Sequence, residues 1–234
     1  MVAEHIYKQY DTDLEAIRAK VLEMGGIVEE QLADCVSSLI NADGKLADSV
    51  IKKDLRVNAL ESEIDEDCSL IIAKRSPAAR DLRNLLMMLK IITDLERIGD
   101  EASKIAKATH RIYDENRMIK PRTKEIQSIF ETLRFMLRTA LNSFARLDVT
   151  ETIDVLEKDQ EVDDEYRAFM RQLLTYMLED PRTISISLEL MFIAKSLERI
   201  GDHAKNISQT VIYTVKGKDV RHATIKEIKA ELKK

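Results

Sequence analysis

The chain has 234 residues, with 37 Lys and Arg against 42 Asp and Glu, giving a net charge of −5. That length suits one domain or two small ones with a real core. The acidic balance argues against a free-standing nucleic-acid binder, which carries a basic excess. Only 6 Gly and 3 Pro punctuate the chain, Trp is absent and 34% of residues are charged. So little turn chemistry excludes a β-sandwich or a Gly-rich nucleotide fold and fits long amphipathic helices.

The N-terminus, MVAEHIYKQYD, has no apolar core of a signal peptide. The most apolar stretch, 85–92, is short and contains Lys90, so nothing is expected to span a membrane. Cys35 and Cys68 belong to no Cys-x-x-Cys pair and read as reduced thiols of a soluble, cytoplasmic protein.

The prolines mark the element boundaries. Ser76-Pro77 and Asp180-Pro181 each read as an N-cap followed by Pro at the first helical position, and Pro121 opens a further periodic segment. Helices are predicted over 11–42, 44–74, 77–114, 121–147, 149–179 and 181–215. Helices of about 30 residues run to about 45 Å and bury their stripe only by packing lengthwise.

The stripes repeat along the chain. Leu14, Ile17, Val21, Met24 and Val28 of the first helix recur 112 positions later as Ile126, Ile129, Leu133, Met136 and Ala140. Met88, Ile91, Leu95, Ile98, Ala102 and Ile105 recur 102 positions later as Leu190, Ile193, Leu197, Ile200, Ala204 and Ile207. The second helix (Val50, Val57, Leu60, Ile64, Ile71) and the fifth (Val155, Val162, Phe169) are less regular. The same order of elements occurring twice marks an internal duplication. The expected fold is all-α: two tandem antiparallel three-helix bundles, 1–116 and 117–215, related by a pseudo-two-fold. The joint is the polar stretch 115–120. The tail, 216–234, is basic: Lys216, Lys218, Arg221, Lys226, Lys229, Lys233 and Lys234 against Asp219, Glu227 and Glu231, or 7 − 3 = +4. It reads as a solvated, partly disordered end, with attraction to anionic lipid or an acidic partner as the sharper reading.

The third and sixth helices share a hexapeptide, Leu95-Glu96-Arg97-Ile98-Gly99-Asp100 and Leu197-Glu198-Arg199-Ile200-Gly201-Asp202. With Leu95 and Ile98 in the apolar seam, Glu96 and Asp100 lie off it, on one face and four residues apart. Like charges at that spacing weaken a helix by about 0.2–0.5 kcal/mol. Their occurrence twice, at equivalent places, points to a cation between them. Gly99 and Gly201 sit beside these pairs at a cost of about 1 kcal/mol each relative to Ala, which suggests close approach of another group. Helix two adds Asp54, Asn58, Glu61 and Asp65 in a stripe, and helix five adds Asp159 and Asp163 where Asp54 and Asn58 stand. The candidate metal ligands are therefore Glu96 and Asp100 with Asp54 and Asn58 or Glu61, and Glu198 and Asp202 with Asp159 and Asp163. All-oxygen ligands suit hard cations such as iron, manganese, magnesium or calcium, with zinc an alternative. Arg97 and Arg199 could instead pair with these carboxylates within their helix. His203 reads as solvated surface.

These hexapeptides, inside a duplicated set of three long helices, resemble the PhoU family, the accessory proteins of the phosphate-specific transport system. Pro77-Ala78-Ala79-Arg80-Asp81-Leu82-Arg83 is similar to the segment opening the family's third helix, whereas Pro181 is followed by Arg182-Thr183-Ile184-Ser185. Any role of Asp81 or Arg83 thus belongs to the first half alone. The resemblance implies a PhoU-like fold, a cytoplasmic homodimer, and iron first among the metals, with zinc or manganese as alternatives. It implies a non-enzymatic regulator of phosphate uptake and phosphate-regulon signalling. The implied partners are the ATPase subunit of the phosphate ABC transporter and the phosphate sensor histidine kinase, with peripheral membrane association only.

Two other classes compete. A metal-free helical adaptor would leave the carboxylates as solvated faces. A carboxylate-bridged di-metal enzyme would use Glu-x-x-His motifs aimed into a bundle core, and here no Glu has a His three residues on. The chain also lacks a phosphate-binding loop of either common Gly-rich type.

Overall fold

The computed structural model describes residues 2–77, 79–113 and 121–232, with side chains from 10 onward in the first helix and from 81 in the third. Six long helices, α1 (Val2–Asn41), α2 (Gly44–Arg75), α3 (Ala79–Tyr113), α4 (Lys124–Arg146), α5 (Thr152–Glu179) and α6 (Ile184–Lys216), precede a short α7 (Ile225–Leu232). There is no strand among the described residues. A boundary between 116 and 117 lies outside the described residues.

The caps explain where the chain stops and turns. Asp43 caps α2 by accepting a hydrogen bond from the Leu46 amide at 3.0 Å. Ser76 does not cap α3, as its sequence suggests. Its φ is 45°, in the left-handed region, and its N–H bonds Ile72 O, so it closes α2 instead. Asp180 does act as an N-cap: it accepts from the Arg182 amide over a 3-10 turn, Pro181–Thr183, which leads into α6. Gly217 ends α6 with φ 73°, a conformation that costs glycine little. α4 starts later than Pro121, after Thr123, and α5 starts at Thr152 rather than 149.

The predicted stripes are the core. Val21, Met24 and Val28 of α1, Leu95, Ile98 and Ile105 of α3, and Leu197, Ile200 and Ile207 of α6 are all fully buried. Helices α1, α2 and α3 pack against one another, as do α4, α5 and α6, so each half is a three-helix bundle. Lys20 bonds Asp67, Lys53 bonds Asp34 and Arg75 bonds Asp13, which fixes α1 and α2 as antiparallel. Asp159 with Lys205 and Tyr166 with Lys195 do the same for α5 and α6.

The most extensive helix contact is α3 against α6, across the two bundles. It runs antiparallel, as Asp94 with His203, Glu101 with Arg199 and Arg111 with Glu189 show. Two equivalent helices meeting this way are related by a local two-fold. α3 therefore buries a second row beside its stripe, with Met87, Glu101 and Ala108 spaced by multiples of seven residues, that a single stripe does not reveal. His203 lies in this interface rather than on a solvated surface: its side chain is 19% exposed and its Nδ1 is 2.8 Å from Asp94 Oδ1.

The basic tail is docked, not free. Val220 and Ile228 are 2% exposed. Lys229 pairs with Glu157 of α5 at 2.5 Å, and Lys218 with Glu231 at 2.6 Å. A Thr224–Glu227 capping box starts α7: Glu227 accepts from the Thr224 amide at 2.7 Å, and the Glu227 amide donates to Thr224 Oγ1. That box was readable in the sequence as Thr-x-x-Glu ahead of an apolar pair.

Candidate metal centre

The acidic face of the first bundle lies where α2 and α3 run side by side. Asp54 is close enough to Asp100, and Glu61 to Glu96, for each pair to repel. Burial first, and then the Asp100 charge, lifts the Asp54 carboxyl above its usual range. Burial and then the Glu96 charge do the same for Glu61. Neither Asp54 nor Glu61 forms a direct ion pair with a described residue. Asp100 takes Lys104 at 2.7 Å, and Glu96 takes Arg97 at 3.5 Å within its own helix. Asn58, one turn along α2 from Asp54, is exposed, and its backbone carbonyl accepts from Ser62 Oγ at 3.1 Å.

Gly99 makes this arrangement possible. A Cβ there would stand 3.2 Å from Gln31 Oε1 and 3.4 Å from Asp54 Oδ1. Both oxygens are buried acceptors without a donor among the described residues, while Gln31 Nε2 is spent on Val50 O at 3.2 Å. A buried acceptor left unmatched costs about 1–3 kcal/mol, and a cation or a proton would satisfy it. Asp54, Asp100, Glu61 and Glu96 thus fit a hard cation by donor chemistry. They stand as two pairs: among the described residues, no group of three or more His, Cys, Asp or Glu is closed enough to hold an ion.

The second bundle differs. Lys205 Nζ lies 2.6 Å from Asp159 and 3.4 Å from Asp202, between the two carboxylates. Lys195 bonds Glu198 at 2.5 Å, and Arg167 bonds Asp163 at 3.2 Å. Burial still raises the Asp159 carboxyl, with Lys205 pulling against it. One repeat earlier, Lys205 and Lys195 correspond to Ser103 and Thr93, so this bundle sets a lysine between its two carboxylate rows, whereas in the first Lys104 reaches Asp100 but forms no ion pair with Asp54. Gly201 also departs from its expected role. A Cβ there would meet Leu133 at 3.1 Å, with Val162 and Met136 beyond, so its space is filled by apolar core.

Sequence reasoning missed Glu101. Its side chain is 3% exposed and is held by Lys104 at 3.0 Å and by Arg199 of the other bundle at 2.8 Å. Arg199 therefore pairs across the interface rather than within its helix. The available signal was the position right after each hexapeptide, which holds Glu101 in one half and His203 in the other.

Two stacked three-helix bundles with acidic rows repeated on equivalent helices define a duplicated all-helical protein. The PhoU domain model matches residues 21–109 and again 126–211. The chain belongs to the PhoU family. It is 46% identical over 232 residues, 99% of this chain and 90% of the other, to the phosphate-specific transport system accessory protein PhoU homolog of Pseudomonas putida. It is 43% identical over 219 residues, 94% of this chain and 90% of the other, to the phosphate-specific transport system accessory protein PhoU of Escherichia coli. The crystal structure of PhoU from Pseudomonas aeruginosa superposes with a TM-score of 0.86 at 45% identity, covering 89% of this chain and 100% of that one. PhoU from Streptococcus pneumoniae, a phosphate transport system regulatory protein, gives 0.82 at 26% identity, covering 90% and 99%.

Proposed function

We propose that this protein is a non-enzymatic regulator of phosphate uptake and of phosphate-regulon signalling. It acts as a metal-binding helical adaptor on the ATPase subunit of a phosphate ABC transporter and on the phosphate sensor histidine kinase. The observation that carries this reading is near full-length similarity, at 43–46% identity, to accessory proteins of phosphate-specific transport. The reading places the protein in the cytoplasm as a homodimer, in peripheral contact with the membrane. Among the described residues no helix is long and apolar enough to cross a membrane.

In this reading Asp54, Asp100, Glu61 and Glu96 hold the metal in the first bundle, with iron first and zinc or manganese as alternatives. The ion supplies positive charge that cross-links α2 to α3. The chain's own residues do the rest: Gly99 leaves room for Asp54, and Lys104 balances Asp100. In the second bundle, Asp159, Asp163, Glu198 and Asp202 bind metal only by releasing Lys205 and Lys195. That internal neutralisation favours a second reading for this half, a metal-free adaptor face.

The test is complementation. In a host lacking its own copy, the chain should restore low phosphatase-reporter expression and restrained phosphate uptake under phosphate excess. Failure to restore either, with the protein expressed and folded, would contradict the regulatory reading.

A further inference from the structure

α3 and α6 leave a cavity of about 780 Å³ along their contact, walled by Leu86, Lys90, Thr93, Asn206, Thr210 and Tyr213. It continues past Arg83 toward the start of α3. The acids of its wall are already matched. Asp94 accepts from His203 at 2.8 Å and lies 3.4 Å from Asn206 Nδ2, while Asp219 holds Arg221 at 2.5 Å. Lys90 in its wall and Arg83 in its continuation have the Tyr213 ring beside them but no carboxylate among the described residues. Lys90 Nζ and Arg83 Cζ stand 5.6 Å and 5.7 Å from the centre of the Tyr213 ring. Neither forms an ion pair with a described carboxylate.

The duplication provides an internal control. One repeat later, Arg83 and Lys90 become Ser185 and Phe192, and one repeat earlier Tyr213 becomes Arg111. The equivalent groove, about 360 Å³ beside Ala108, Arg111 and Phe192, has no such free pair, because Arg111 is bound to Glu189 at 2.9 Å. The free cations are therefore particular to one end of the α3–α6 contact and not a by-product of the repeat.

We propose that this cavity binds a small organic phosphate. Arg83 and Lys90 take the phosphate group, since guanidinium and ammonium give charge-assisted hydrogen bonds to phosphoryl oxygens. The body of the ligand lies along Leu86, with Thr93, Asn206 and Thr210 offering hydroxyl and amide partners. Small-molecule sites run to about 300–1,000 Å³, and a bare phosphate ion would leave most of this volume empty. The site lies between the bundles, off the α2–α3 carboxylate pairs, and does not depend on metal.

Calorimetric titration of the full chain, treated with chelator, tests this with AMP, ATP and glucose 6-phosphate, beside inorganic phosphate and sulfate. Saturable binding of at least one organic phosphate at one site per chain is expected. Lys90→Glu, and separately Thr93→Glu, should weaken it by about tenfold or more, as loss of a charged hydrogen bond or gain of a like charge does. Both positions are exposed, and both variants should melt as wild type does. Absence of binding by all three organic phosphates would overturn the proposal. So would binding by either variant as tight as that of wild type, or inorganic phosphate and sulfate binding as tightly as the organic phosphates.

Discussion

Arg199 of the second bundle and Glu101 of the first meet at 2.8 Å, Nη1 to Oε1, with the carboxylate almost wholly buried. Lys104 holds the same oxygen at 3.0 Å. A charge placed so deep is stable only with its partners, and these partners join the two halves of the duplication. His203, the equivalent of Glu101 one repeat later, pairs instead with Asp94 on the other side of the local two-fold.

Glu101→Ala is expected to lower unfolding stability by about 1.5–3 kcal/mol, the range for hydrogen bonds to charged groups. Arg199→Ala should cost less, because Arg199 is 45% exposed and Glu101 keeps Lys104. Denaturant unfolding of both variants checks the order; a larger loss for Arg199→Ala would contradict it.

Asp54, Glu61 and Asp159 all have carboxyls raised by burial. A raised carboxyl binds its proton more tightly in the folded state than in the unfolded one. Metal-free protein should therefore lose stability as pH climbs from the ordinary carboxylate value through the raised one. Asp54→Asn should flatten that slope. Melting curves across this pH range, in chelator, read the effect, and an unchanged slope in Asp54→Asn would count against it.

The two hexapeptide glycines should respond differently to Ala. At Gly201 the new Cβ meets the flexible end of Leu133, and the helix gains up to about 1 kcal/mol. At Gly99 it presses on Asp54 Oδ1 and Gln31 Oε1. Gly99→Ala should therefore reduce any metal-dependent rise in melting temperature, whereas Gly201→Ala should leave it intact. Paired thermal melts with and without metal distinguish them.

Truncation after Lys216 should lower the melting temperature, because it removes Val220 and Ile228 from the core and the Lys229–Glu157 pair from α5. Burying one such side chain is worth about 1.5–3 kcal/mol at most. A truncated chain that melts with the full-length protein would show the tail to be free.

Much of this was readable from the residues. The 3-4-3-4 stripes of Leu95 to Ile105 and Leu197 to Ile207 named the seams, since a heptad-like apolar period has few other uses. The acidic rows were legible because like charges at helical spacing are unfavourable unless something answers them. What answers them was legible only in part. Lys195 with Glu198 and Lys205 with Asp202 stand at i,i+3, a readable spacing, but the contact of Lys205 with Asp159 of α5 is set by how the two helices pack and has no signature in the spacing. The second buried row of α3 was hidden for the same reason: Glu101 looks like surface until α6 covers it. Ser76 misled because Ser before Pro suits both the end of one helix and the start of the next, and a left-handed φ decides between them.

The metal reading rests on Asp54, Asp100, Glu61 and Glu96, and it is tested by titrating iron(II), zinc or manganese into chelated wild type and Glu96→Gln/Glu198→Gln while following the melting temperature. Without metal, the double variant should lie within about 0.5 kcal/mol of wild type, because the repulsion relieved at Glu96 is offset by loss of the Lys195–Glu198 pair. With metal, wild type should rise through ligand linkage and the double variant should rise much less. If wild type does not shift with any of the three ions, or if the double variant shifts equally, the carboxylates are not a metal site.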